Sequence, residues 1–155
     1  MVLRAPLAFS PAISPDGSVV AYLSACGPWG IPIRGGDAQS FRTGDGYPRW
    51  VLRFSPDGKR LVVDQEQQLT FLSTEGGDLG TIDLKQTSLK GTYFSGWSPD
   101  GSWVALCGKI HGGVRVGTLD LATMRVKTIF ETDRPEGSEF QCPFRRTDAS
   151  VVGRA

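Results

Sequence analysis

The sequence predicts an all-β fold assembled from repeated four-stranded units, and three observations carry that prediction. The tetrapeptide Ser-Pro-Asp-Gly occurs at Ser14-Pro15-Asp16-Gly17, Ser55-Pro56-Asp57-Gly58 and Ser98-Pro99-Asp100-Gly101, at intervals of 41 and 43 residues. A second landmark keeps the first interval: Gly35-Gly36-Asp37 and Gly76-Gly77-Asp78 also lie 41 residues apart. The 155 residues include 20 glycines and 10 prolines, which suits many short strands joined by tight turns, and no amphipathic stretch of helical length interrupts them.

Each unit can be read in order. An apolar residue (Ile13, Phe54 or Trp97) precedes each Ser-Pro-Asp-Gly corner and ends a first strand. The corner itself suits a hairpin residue by residue. Serine can bond the backbone, proline presets φ, aspartate tolerates the third position, and glycine accepts the left-handed conformation. The second strand follows as "VVAYL" at 19–23, "LVV" at 61–63 and "WVALC" at 103–107. These runs are continuous rather than alternating, as expected of strands covered on both faces. A closing hairpin comes next, with "WGIPI" and "AQSFR" around the first Gly-Gly-Asp and "LTFLS" and "LGTIDL" around the second. In the third unit "DLATM" (120–124) takes the place of that turn, between "VRVGTL" and "RVKTIF".

Tandem units of four strands and about 40–45 residues are the signature of propeller blades. One blade cannot cover both of its own faces, so blades stack around an axis. "FSPDGKRLVV" (54–63) and "WSPDGSWVAL" (97–106) resemble the TolB-type, WD-repeat-like β-propeller repeat, and the resemblance covers about residues 9 to 131. It implies a partial β-propeller of three four-stranded antiparallel blades, at about 9–43, 49–85 and 93–131, plus a fragment of a fourth at 140–155. In that fragment Phe144, Asp148-Ala149 and "SVV" stand where an aromatic, Asp-Gly and the next strand belong. Three and a half blades do not close a ring of normal size. The expectation is a piece of a longer gene, two copies forming a seven-bladed ring, or an open arrangement with residues 1–8 drawn into the last sheet.

Composition narrows function by exclusion. Lysine plus arginine total 17 and aspartate plus glutamate 16, a net charge of +1, so no basic footprint for nucleic acid is present. No apolar run reaches the roughly 18–20 residues of a membrane span. The N-terminal stretch makes a poor signal peptide, which points to the cytoplasm, whereas the resemblance points to the periplasm. Cys26, Cys107 and Cys142 are odd in number and lack paired spacing, which suits small buried hydrophobes better than a disulfide framework or zinc site.

Chemistry-bearing motifs are scarce. His111 is the only histidine, no Gly-x-Ser-x-Gly is present, and no catalytic residue, cofactor or metal is assigned. Asp16, Asp57 and Asp100 are explained by turn chemistry. Trp29, Trp50, Trp97, Trp103, Tyr47 and Tyr93 read as wedges between blades, with Tyr47 and Tyr93 the ones best placed for exposure. Binding usually resides in loops on a rigid scaffold. The crossover loops between blades would gather Asp45, Tyr47, Arg49, Tyr93, Asp133, Arg134 and Glu139 at the channel mouth. Lys109 and His111 would join them from the loop between second and third strands. Mixed charge with aromatics suits a protein or peptide partner, so the expectation is a non-catalytic binding or assembly module, with a homodimer or further blades completing the ring. The alternatives are the substrate-gating part of a prolyl-oligopeptidase-type peptidase and a sensor domain of a kinase or transcriptional regulator.

Overall fold

Twelve strands in three antiparallel sheets make up the computed structural model, which describes residues 9–41, 51–65, 67–110 and 113–132. Blade 1 contains β1 (Phe9–Ile13), β2 (Val19–Ser24), β3 (Gly27–Pro32) and β4 (Gln39–Ser40). Blade 2 contains β5 (Val51–Phe54), β6 (Arg60–Gln65), β7 (Gln68–Ser73) and β8 (Asp78–Asp83). Blade 3 contains β9 (Tyr93–Trp97), β10 (Trp103–Ile110), β11 (Gly113–Asp120) and β12 (Arg125–Thr132). Strands within each blade pair in sequence order, as a simple meander. The fourth fragment expected at 140–155 lies outside the described residues, as do Cys142, Trp50 and Tyr47. Among those described, helix is limited to one 3-10 turn, Leu84–Gln86.

All three Ser-Pro-Asp-Gly corners are built the same way. The glycine N–H donates to the serine carbonyl in each, at 2.8, 2.9 and 2.9 Å. Gly17, Gly58 and Gly101 have φ of 71°, 71° and 69°, a region in which a Cβ would be strained. The serine hydroxyl does two jobs. It donates to the aspartate Oδ1 two residues on, and its Oγ accepts from the first amide of the following strand, Val19, Arg60 or Trp103, at 2.9, 2.9 and 3.0 Å. The aspartate in turn accepts from the backbone of Ser18, Lys59 or Ser102. Polar groups at the buried base of each hairpin are thereby satisfied, and Ser14, Ser55 and Ser98 are buried at 8%, 0% and 1% exposure.

The core is divided between the two gaps separating the blades. Ala21, Leu23 and Phe41 of blade 1 meet Leu52, Leu61, Val63 and Leu72 of blade 2. On its other face blade 2 sends Val62, Leu69 and Phe71 against Phe94, Val104, Leu106 and Leu119 of blade 3. Leu84 and Leu89, on the chain crossing from blade 2 to blade 3, close that second core. Alternate residues of β6 and β7 thus point into different cores, as the period of two requires. Adjacent corners also touch: a Cβ built on Gly58 would lie 3.4 Å from Pro15 Cδ, and one on Gly101 would lie 3.6 Å from Pro56 Cδ. Arg60 bridges the second gap, donating to the Gly101 carbonyl at 2.8 Å with its guanidinium 5.3 Å from the Trp97 ring centroid. Trp97 is wedged edge-on against Phe71 and Phe94, at 5.9 and 6.2 Å.

Three sequence expectations are corrected here. The continuous apolar runs are covered on both faces only in β6; β2 and β10 alternate between more and less buried positions, because among the described residues blades 1 and 3 each have one neighbouring sheet. For the same reason Trp103 is 40% exposed and is no wedge. Cys26 and Cys107 are exposed free thiols rather than buried hydrophobes, the first in a hairpin turn and the second on the outward face of β10.

Two substitutions test this division. Leu61→Ala should lower the unfolding free energy by about 2–5 kcal/mol, since Leu61 is fully buried in one of the two cores. Met124, at φ 53° in the turn that replaces Gly-Gly-Asp, is the strained counterpart: Met124→Gly should raise stability by roughly 1 kcal/mol. Urea unfolding followed by tryptophan fluorescence reads both.

Candidate functional site

A meander of four strands sorts its loops onto two ends, and each end offers a different surface. The corner end carries the Ser-Pro-Asp-Gly turns and the β3–β4, β7–β8 and β11–β12 connections. The crossover end carries the turn between β2 and β3 and the passage from blade 2 to blade 3.

At the crossover end the sequence expectation can be followed for two residues. Tyr93 and Lys109 lie in strands rather than loops, the former opening β9 and the latter one residue short of the end of β10. Both are exposed and on one face, because Tyr93 pairs with Cys107, two residues before Lys109. The longer β10 accounts for the difference, since its hairpin with β11 keeps pairing through Ile110 and Gly113. Asp45, Tyr47, Arg49, His111, Asp133, Arg134 and Glu139 lie outside the described residues.

Beneath this end sits a carboxylate that sequence reasoning did not single out. Asp64 is fully buried, and its Oδ2 accepts from the Phe94 amide of blade 3 at 2.6 Å. Next to it on the hairpin, Gln67 Oε1 accepts from the Gly91 amide. Together these two side chains satisfy backbone donors of the incoming chain and fix where blade 3 begins. No donor reaches Asp64 Oδ1 in hydrogen-bond geometry, and burial pushes the carboxyl above its ordinary value, against the lowering effect of the Phe94 amide and then the Gln67 amide. One signal was available: Asp64 ends the apolar run of β6 at a position that ought to be buried. Nearby, Arg115 chelates Glu131 through two 2.9 Å bonds and reaches the Lys90 carbonyl at 2.8 Å, tying β12 and the crossover to β11.

The corner end is concave. Between blades 1 and 2 lies a cleft of about 420 Å³. Its walls are apolar where Phe41, Phe54, Val19 and Pro32 face it, and polar at Ser18, Gln39 and Thr74. Gly30 is required here, because a Cβ would meet the Phe41 ring at 2.5 Å and push it outward. Asp16 and Asp57 border the cleft, so the turn aspartates are also surface chemistry. Both are held ionised. The Ser14 hydroxyl first, then Ser18, lowers Asp16 to about 2, and the Ser55 hydroxyl, followed by the Lys59 amide, lowers Asp57. Asp100 is lowered to about 2 in the same way by Ser98. Nothing in the sequence placed two corners of separate blades around one cavity. Among the described residues no three histidine, cysteine or acidic side chains are grouped to hold a metal ion.

No protein-family model matches the chain, and no curated protein matches it in sequence. Its fold is shared with solved propellers. A putative TolB from Agrobacterium tumefaciens superposes with a TM-score of 0.61 at 21% identity, over 80% of this chain and 46% of that one. The hydrazine synthase of Kuenenia stuttgartiensis gives 0.58 at 21% identity, over 80% and 36%. A nidogen/laminin complex gives 0.60 at 13% identity, over 86% and 51%. The chain therefore spans about half or less of each of these, and its sheets have the architecture of TolB-type β-propeller blades.

The carboxylates give two pH windows of opposite sign. Asp16 and Asp100, with folded values below the ordinary 3.8, contribute stability that is full above about 3.8 and lost as pH falls through about 2. Asp64 is raised, so its ionisation removes stability as pH climbs above 3.8. Asp64→Asn should abolish that upper slope while keeping an acceptor for Phe94. Asp64→Ala should cost about 1–3 kcal/mol by leaving the Phe94 amide buried without one. Unfolding free energies measured from pH 2 to 8 check both signs.

Proposed function

We propose that this chain is a non-catalytic protein- or peptide-binding module of propeller blades, and that further blades join it at its two outward faces. Those further blades belong to a longer polypeptide or to a second copy. One observation carries the assembly half of this reading: among the described residues only the middle blade is covered on both sides. On the outward face of blade 3, Tyr93, Cys107, Val116 and Phe130 are successive cross-strand partners, forming an apolar row across the whole sheet. Tyr93 is 43% and Phe130 52% exposed. Blade 1 turns Ile13, Val20 and Ile31 outward in a similar row. Sheet faces of this kind favour contact with another sheet over contact with water.

The binding half rests on loops and clefts held by a rigid sheet scaffold. Protein recognition also suits the near-neutral net charge, which offers no extended basic track for nucleic acid.

On its own, the 155-residue chain should self-associate at micromolar concentration through these faces, whichever source completes the ring in the cell. Phe130→Glu should shift it toward monomer without loss of the fold. Sedimentation equilibrium, with circular dichroism as the control, decides this; a wild-type chain that stays monomeric overturns the proposal.

A further inference from the structure

The cleft at the corner end has a chemistry of its own. Two carboxylates from different blades border it, and an aromatic floor lies below them. We infer that this cleft takes a guanidinium or ammonium side chain of a peptide partner, its apolar stem on Phe41 and Phe54 and its charge on Asp16 and Asp57. The inference rests on the peptide-binding reading above and names where, and for what chemistry, that binding occurs.

Charge decides the class of occupant. Among the described residues the ionisable groups lining the cavity are both acidic, and hydrogen bonds within their own turns favour the charged form of each. The nearby cations do not close it. Arg60 and Lys59 lie near enough to help lower Asp57 by their charge, but Arg60 donates across the other gap to the Gly101 carbonyl and packs on the Trp97 ring, and neither cation lines the cavity. Acceptor capacity remains at the rim. Asp57 bonds Ser55 and Lys59 through Oδ1 alone, which leaves Oδ2 open to a donor. Asp16 is more occupied, accepting from Ser14 and Ser18, and supplies mainly charge.

Shape excludes the simplest competitors. A bare metal ion would want several converging oxygens, whereas apolar walls line much of this cavity. An anion would meet two negative charges. A long side chain with a methylene stem and a cationic head satisfies both walls and rim, with the aromatic rings adding cation–π attraction. Hydrogen bonds within the turns already position the carboxylates, which reduces the ordering required on binding.

The test uses the ¹⁵N-labelled chain titrated with acetyl-Ala-Arg-Ala-amide and with the same tripeptide carrying citrulline, which keeps the shape and removes the charge. The arginine peptide should shift the amides of Ser18, Gly58 and Thr74, and citrulline should bind about tenfold more weakly. Asp57→Asn keeps an oxygen for Ser55 and Lys59 and should erase the preference. If that corner does not tolerate the change, Thr74→Lys, which sets a cation on the rim, should do the same. Equal responses to the two peptides overturn the inference. So do shifts clustered at Tyr93 and Lys109, which leave peptide binding intact at the other end. No response at any amide also overturns it, while the self-association measurement still judges the assembly of blades.

Discussion

A four-stranded β-sheet has two faces, and neither can remain in water when both are apolar. That constraint governs this chain. Blade 2 meets it fully, because Leu61 and Val63 turn toward blade 1 while Val62 turns toward blade 3. Burying each such side chain contributes roughly 1.5–3 kcal/mol, so the central sheet is the anchor of the structure. Among the described residues blades 1 and 3 meet the constraint on one face only. Their outward rows leave Ile13, Tyr93 and Phe130 exposed, and they link the architecture to its proposed role in assembly.

Stacking demands that every blade present its strands at the same angle and height. The repeated corner supplies that regularity through a small polar network. Serine closes the base of the hairpin, aspartate holds the serine hydroxyl and the next amide, and glycine takes the left-handed turn. Because Pro15 and Pro56 lie against the glycine of the following corner, the turns also act as spacers between blades. At the opposite end, Asp64 and Gln67 catch the entering chain of blade 3. One gap is thus bridged by polar contacts at both ends, and the cleft opens at the corner end of the other.

The cleft follows from wedge geometry. Blades 1 and 2 share a tight core near their middle, and Leu52 of β5 is bonded to the Ser10 hydroxyl of β1 at 3.0 Å. Toward the corners the sheets leave room that Phe41 and Phe54 only partly fill. This cavity, with Asp16 and Asp57 on its border, is where the proposed recognition of a cationic side chain is placed.

The sequence by itself determined much of the local structure: where the repeated hairpins turn, that the corner glycines take positive φ, and that the units repeat. These properties depend on residues a few positions apart within the Ser-Pro-Asp-Gly and Gly-Gly-Asp segments, whereas the positive φ of Gly27, Gly80, Gly91 and Met124 arises outside them. It also identified the family of folds, since the repeat interval is a property of one unit. Burial was a different matter. "VVAYL" and "WVALC" read like "LVV", yet Val20, Trp103 and Cys107 face outward, because coverage depends on which sheet lies behind and not on the run itself. The same holds for the role of Asp16 and Asp57. As turn residues they were legible one by one; as two charges on one cavity they exist only after two blades, separated by some 41 residues of chain, have been stacked.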